Sequence, residues 1–182
     1  MTTIVVSGSG RNVGKTTLVC GLIAALPEFR WTAVKTTSHA HGNGEPLWEE
    51  TAAGQGSDTA RFLAAGARRA LLVAATGEGF PMAEMRAALG RDAHLIFESN
   101  RILDHIEADV CLAVVGGDEA DVKPAFAGCL RHADGIVVRA ARHAGMVDLP
   151  ASARIFELED FAPISLEMMD WLTSRLGAAD GN

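Results

Sequence analysis

The chain has 182 residues, 48% of them hydrophobic and 21% charged, a balance that excludes a disordered polypeptide. Its net charge of −7 and pI of about 5.3 argue against a nucleic-acid binder held by a general basic surface. No apolar run approaches the ~18 residues of a membrane span, and the start Met1-Thr2-Thr3-Ile4-Val5-Val6 lacks the basic segment of a signal peptide, so a cytoplasmic location is expected.

Thr3–Val6 is short, β-branched and followed by a Gly/Ser cluster, the pattern of a buried strand. Thr16–Leu26 carries Leu18, Val19, Leu22, Ile23 and Leu26 at helical spacing, and Pro27 ends it. Trp31–Val34 reads as a second strand, with Lys35 at its end beside the strand of the phosphate loop. Residues 36–56 are polar and glycine-rich without a sustained period. They are expected to form a lid or partner surface with Trp48 as its apolar anchor, or else a mobile insertion.

Ser57 or Asp58 suits the N-cap of a helix through about Ala65, with Gly66 just beyond its end. Ala70–Ala75 is a third strand, and Pro81 opens a helix ending near Gly90. His94–Phe97 and Asp109–Val115 are the fourth and fifth strands. Asp121–Leu130 is helical with Pro124 in its first turn, Gly135–Val138 is a sixth strand and Arg154–Leu158 a short seventh. Ile164–Leu176 is an amphipathic helix. The apolar strands alternate with helices, which gives a three-layer α/β fold with a mostly parallel sheet flanked by helices. One nucleotide-binding domain over residues 1–177 and a flexible tail over 178–182 are expected. Cys20, Cys111 and Cys129 are odd in number and form no CxxC, so they read as reduced thiols.

Ligands of such folds bind at the C-terminal ends of the strands. There, Gly8-Ser9-Gly10-Arg11-Asn12-Val13-Gly14-Lys15-Thr16-Thr17 lies between the first strand and the first helix. This is a Walker A motif, with Ser9 where a glycine is usual. Glycines let successive N–H groups curl around phosphate, and the helix N-terminus adds its positive dipole end. Ser9 through Thr17 are therefore the expected nucleotide contacts, with Lys15 on the β- and γ-phosphates and the Thr16 hydroxyl on Mg²⁺. Arg11 either adds charge at the phosphates or is solvated.

A P-loop enzyme also needs a carboxylate on a nearby strand. His94-Leu95-Ile96-Phe97-Glu98 fits best, a hydrophobic strand ending in an acid. Asp58 is the second choice and competes with a plain capping role; Asp118 is the third. Lys35 can touch phosphate or an anionic substrate. His39 and His41 form an isolated HxH and are not read as zinc ligands.

These residues together resemble the molybdopterin-guanine dinucleotide biosynthesis protein B (MobB) family of P-loop GTP-binding proteins, over roughly residues 3–115. The resemblance rests on the Walker A motif, Val34-Lys35-Thr36-Thr37-Ser38-His39, Gly56-Ser57-Asp58-Thr59 followed by Ala64-Ala65-Gly66-Ala67, and Leu95-Ile96-Phe97-Glu98. It implies a P-loop NTPase fold, GTP and Mg²⁺ as ligands, slow hydrolysis, a homodimer and a molybdenum-cofactor nucleotidyltransferase as partner. Lys15 and Glu98 would then be catalytic, Thr16, Asp58 and Glu98 would hold the metal, and Lys35 would line the cleft. The sequence departs from the family in its 40–56 loop and in Ser99-Asn100-Arg101 after Glu98.

Two other readings stay open. The phosphate loop also resembles that of dethiobiotin synthetase, an ATP-dependent small-molecule enzyme, and a non-enzymatic nucleotide-dependent adaptor is the third. Guanine against adenine is not decided, because the Asn-Lys-x-Asp tetrapeptide of many GTPases is absent. Arg139 ends the strand that usually precedes it and is a further candidate nucleotide contact.

Overall fold

The computed structural model describes residues 1–39, 44–76, 79–116, 124–138, 150–158 and 164–179. His41, Asp118 and Arg139 lie outside them. The strands are β1 (Thr2–Gly8), β2 (Thr32–Thr37), β3 (Leu47–Glu50), β4 (Arg69–Ala74), β5 (His94–Glu98), β6 (Val110–Val115), β7 (Gly135–Val138) and β8 (Arg154–Glu157). The helices are α1 (Lys15–Ala25), α2 (Asp58–Ala64), α3 (Met82–Leu89), α4 (Pro124–Leu130) and α5 (Leu166–Ala179). The strands form one sheet in the order β3-β4-β2-β5-β1-β6-β7-β8. Among the described strands only β3 runs antiparallel to its neighbour.

Every residue of β1 is buried. Its alternate side chains enter two different cores, which is what places helices on both sides of a parallel sheet. Ile4 and Val6 pack with α1, with Phe62 of α2 and with Met168, Leu172 and Leu176 of α5. Val5 packs on the other face with Met85 and Leu89 of α3, and Phe126 and Leu130 of α4 cover Ala113, Ile136 and Val138 beside them. The result is the expected three-layer α/β sandwich.

Two expectations need correction. Residues 36–56 are not all loop: β2 extends to Thr37, and Leu47–Glu50 forms the edge strand β3 on β4. Four residues without clear alternation carry little strand signal. What holds them is backbone pairing to β4 and the Arg69–Glu49 ion pair, 2.7 Å. Trp48 is 55% exposed on this strand and anchors no apolar core. Secondly, β2 does not lie beside β1. β5 is inserted between them, so Lys35 pairs in register with Glu98 and not with the phosphate-loop strand.

The ends of the strands opposite the phosphate loop carry their own bracing. The indole N–H of Trp31 donates to the Leu26 carbonyl at 3.0 Å, and its ring stacks on Phe29 with centroids 4.8 Å apart. Arg69 reaches both Glu49 and Asp92, and Arg68 also pairs with Asp92. The hydrogen bond from Arg69 lowers the Glu49 pKa. At Asp92 burial pushes upward, but Thr32, Arg68 and Arg69 outweigh it and hold the carboxyl below its ordinary value.

Trp31 is fully buried. Trp31→Ala is expected to cost about 3–5 kcal/mol of stability, by the loss of a large core side chain and the cavity it leaves, read from a denaturant titration. The depressed acids set the pH response. Carboxyls with a folded-state pKa below the unfolded one contribute stability that is complete above the unfolded value of about 4 and is lost as pH falls through the folded values. The melting temperature should hold steady from pH 7 to about 5 and drop toward pH 3; an equal value at pH 3 and 7 would contradict the role of these pairs.

Candidate phosphate-loop site

The turn from β1 into α1 needs unusual backbone. Gly14 caps the helix at φ 107°, in the left-handed region where a side chain is strained, and Asn12 adopts φ 56°, which asparagine tolerates. A Cβ on Gly8 would lie 2.7 Å from side-chain carbons of Lys15, so the lysine stem crosses the loop in the space that glycine leaves. The ammonium of Lys15 donates to the Gly10 carbonyl, across the loop's own mouth.

Two side chains brace this loop from opposite sides. The Ser9 hydroxyl donates to the Gly116 carbonyl at 2.7 Å and accepts from the Gly116 N–H at 3.1 Å. The Asn100 amide takes both backbone groups of Gly8: its Oδ1 accepts from the N–H and its Nδ2 donates to the carbonyl, each at 2.8 Å. The serine that stands where a glycine is usual therefore fastens the loop to the end of β6. Val13 is likewise buried in the core, so of the loop side chains Arg11, Asn12, Lys15, Thr16 and Thr17 line the cleft.

The cleft has a volume of about 700 Å³ and runs from the loop across the ends of β5 and β2. At its centre is Glu98, 2% exposed. One carboxylate oxygen accepts from the Thr16 hydroxyl at 2.8 Å, and the other meets the Lys35 ammonium. Lys35 also pairs with Asp58 at 3.0 Å. Burial pushes the Asp58 pKa upward, but Lys35, with help from Thr16 and Arg61, outweighs it and keeps the carboxyl ionised below its ordinary value.

Asp58 is not the helix cap. Ser57 fills that place, its hydroxyl accepting from the Ala60 N–H at 3.0 Å, which frees Asp58 to face Lys35. Arg61, one turn on, lies 3.7 Å from Asp58 and 3.5 Å from the Thr17 hydroxyl. Arg11 is exposed, its guanidinium 3.4 Å from the His39 ring.

The structure thus gathers Lys15, Thr16, Lys35, Asp58 and Glu98 from four elements into one cluster. Sequence reasoning missed Arg61, Asn100 and Arg101, all of which line the cleft. The place of Asn100 two residues after a strand-end acid is its only signal; an amide offers the donor and acceptor needed to brace a backbone.

The donor set suits magnesium. A hydroxyl and two carboxylates are hard oxygen ligands, and Mg²⁺ ordinarily takes one or two carboxylates and leaves its other positions to phosphate and water. Among the described residues no group of three or more His, Cys, Asp or Glu side chains could hold a metal. All three cysteines are free; burial raises the Cys111 thiol to about 12 and the Cys129 thiol to about 11. Among the described residues no helix is long and apolar enough to cross a membrane.

No family model matches the chain, and neither does any curated protein sequence. Solved structures do resemble it. The crystal structure of a MobB protein homologue from Bacillus stearothermophilus superposes with a TM-score of 0.52 at 18% identity, over 98% of this chain and 99% of that one. LpxK from Aquifex aeolicus, an "apo" form crystallised in complex with ATP, gives a TM-score of 0.55 at 13% identity, over 93% of this chain and 60% of that one. Likeness at these identities is a likeness of fold, and with the loop, the sheet order and the flanking helices it shows that the chain has the P-loop NTPase fold.

Proposed function

We propose that this protein binds a magnesium–nucleoside triphosphate at the phosphate loop, hydrolyses it slowly, and acts as a GTP-binding accessory of molybdenum-cofactor maturation. The observation that carries nucleotide binding is the convergence of Thr16, Asp58, Glu98 and Lys35 at the mouth of a braced Walker A loop. The GTP and cofactor-maturation parts rest on the resemblance to the MobB family. A nucleotidyltransferase partner, a homodimer and Arg139 as a nucleotide contact belong to the same proposal.

The backbone N–H groups of Gly10 to Thr16 would receive the phosphates, which the braced loop presents without rearrangement. Lys15, a compact charge that lies across the loop against the Gly10 carbonyl, would meet the β- and γ-oxygens. Thr16, Asp58 and Glu98 are the residues that would hold Mg²⁺, which when bound supplies neutralisation of phosphate charge. The Lys35 ammonium meets both Asp58 and Glu98, so the two carboxylates share one cation.

A second reading, an ATP-dependent small-molecule enzyme, has one observation in its favour. The cleft continues past the phosphate loop to the ends of β2 and β5, where Thr37, Ser38 and Arg101 offer polar groups to a second substrate. Turnover separates the two. P-loop GTPases without an arginine finger run at roughly 10⁻³ per second or less, and that is the expected rate on nucleotide alone; a rate of about 10 per second would favour the second reading.

Calorimetric titration with GTP, ATP and their diphosphates, with and without Mg²⁺, tests the binding. Lys15→Ala is expected to abolish it while the melting curve is retained. Equal affinity in this variant and the wild type would overturn the assignment of the loop.

Glu98→Gln should keep nucleotide binding and cut hydrolysis at least about tenfold, since an amide keeps the shape but not the charge that positions the reacting groups. An unchanged Mg²⁺-dependent rate would move that role to Asp58.

A further inference from the structure

Within an acidic chain, the cleft gathers positive charge. Arg11, Lys15, Lys35, Arg61 and Arg101 line it against only Asp58 and Glu98 among the described residues. A magnesium-bound triphosphate would bring about two negative charges, which leaves positive charge over. The surplus is located: Arg101 stands across β5 from the phosphate loop, where β2, β4 and β5 end.

Arg101 is anchored at both ends. The Ser99 hydroxyl oxygen accepts from the N–H groups of Arg101 and Ile102, each at 3.1 Å, and is itself held by the Thr36 hydroxyl at 2.8 Å. The guanidinium donates through Nη1 to the Ala75 carbonyl at 2.8 Å, directly after β4. A guanidinium has five N–H donors, and this carbonyl takes one of them. Among the described residues Arg101 forms no ion pair, in contrast to Arg61, Arg68 and Arg69. Thr37 and Ser38 line the same end of the cleft and add hydroxyl donors.

We propose that the ends of β2, β4 and β5 form a second anion subsite, in which Arg101 binds the phosphate group of a phosphorylated small molecule beside the nucleotide. A planar fork with nearby hydroxyls suits the several acceptor oxygens of a phosphate monoester, and a side chain fixed before binding loses little freedom on engaging it. The word "second" rests on the nucleotide reading above; the subsite itself does not. The ligand class fits either role for the protein.

The test titrates inorganic phosphate into protein saturated with Mg²⁺ and a non-hydrolysable triphosphate, and in parallel into Lys15→Ala, in which the phosphate loop is disabled. One phosphate per chain is expected in both. Arg101→Gln should weaken it at least about tenfold, with nucleotide affinity within about twofold of wild type. Arg101→Lys, which keeps the charge but not the planar fork or the bond to Ala75, should bind phosphate more weakly than wild type and more tightly than Arg101→Gln, at a wild-type melting temperature. Failure of the saturated protein to bind phosphate, or equal affinity in Arg101→Gln and wild type, overturns the subsite. If wild-type protein binds no nucleotide while Lys15→Ala still binds phosphate through Arg101, the nucleotide reading falls and the subsite stands.

Discussion

A carboxylate with 2% of its surface in water cannot stand alone, and Glu98 is such a group. Leaving a buried charge unpaired typically costs about 3–5 kcal/mol, so the position of Glu98 dictates its surroundings. It needs a cation, which comes from Lys35 on the neighbouring strand, and a hydroxyl, which comes from Thr16 at the start of α1. Lys35 in turn draws in Asp58 and with it the first turn of α2. One buried charge therefore ties together two strands and two helices, and the cluster it creates is the proposed metal and phosphate site.

That arrangement depends on β5 lying between β1 and β2. Chain order places Lys35 far from Glu98, and only the crossover that inserts β5 puts them in register. Local signals were readable without this knowledge. The phosphate loop announces itself through glycines, lysine and threonine in one short run, and Glu98 through an apolar strand ending in an acid. Lys35 was recognised as a candidate, but the partner that explains it was not, because strand order is not written in local pattern.

The features that escaped the sequence share a physical reason. Arg61 reaches Thr17 across 44 positions and Arg101 reaches Ala75 across 26, distances over which a single arginine carries no spacing to betray it. Asn100 braces Gly8 across 92 positions of sequence. β3 exists because β4 offers it a backbone edge, so its strand state comes from its partner more than from its own residues. At Ser9 the sequence shows only that a small residue fits the loop; the tie of its hydroxyl to Gly116 spans 107 positions and has no local signal.

The double brace on the phosphate loop has a thermodynamic consequence. Loops that bind anions commonly lose disorder when they close on a ligand, and that loss subtracts from affinity. Here Gly8 is fixed to the end of β5 and Ser9 to the end of β6, the two strands that flank fully buried β1. The loop's local opening is thereby coupled to the opening of the central sheet, which belongs to the most stable part of such a domain. The amide protons of Gly8 and Ser9, bonded to Asn100 and to the Val114 carbonyl, should exchange with solvent almost as slowly as those at the centre of β1. The entropy of ordering the phosphate cradle is spent when the chain folds, and little of it remains to be lost at binding.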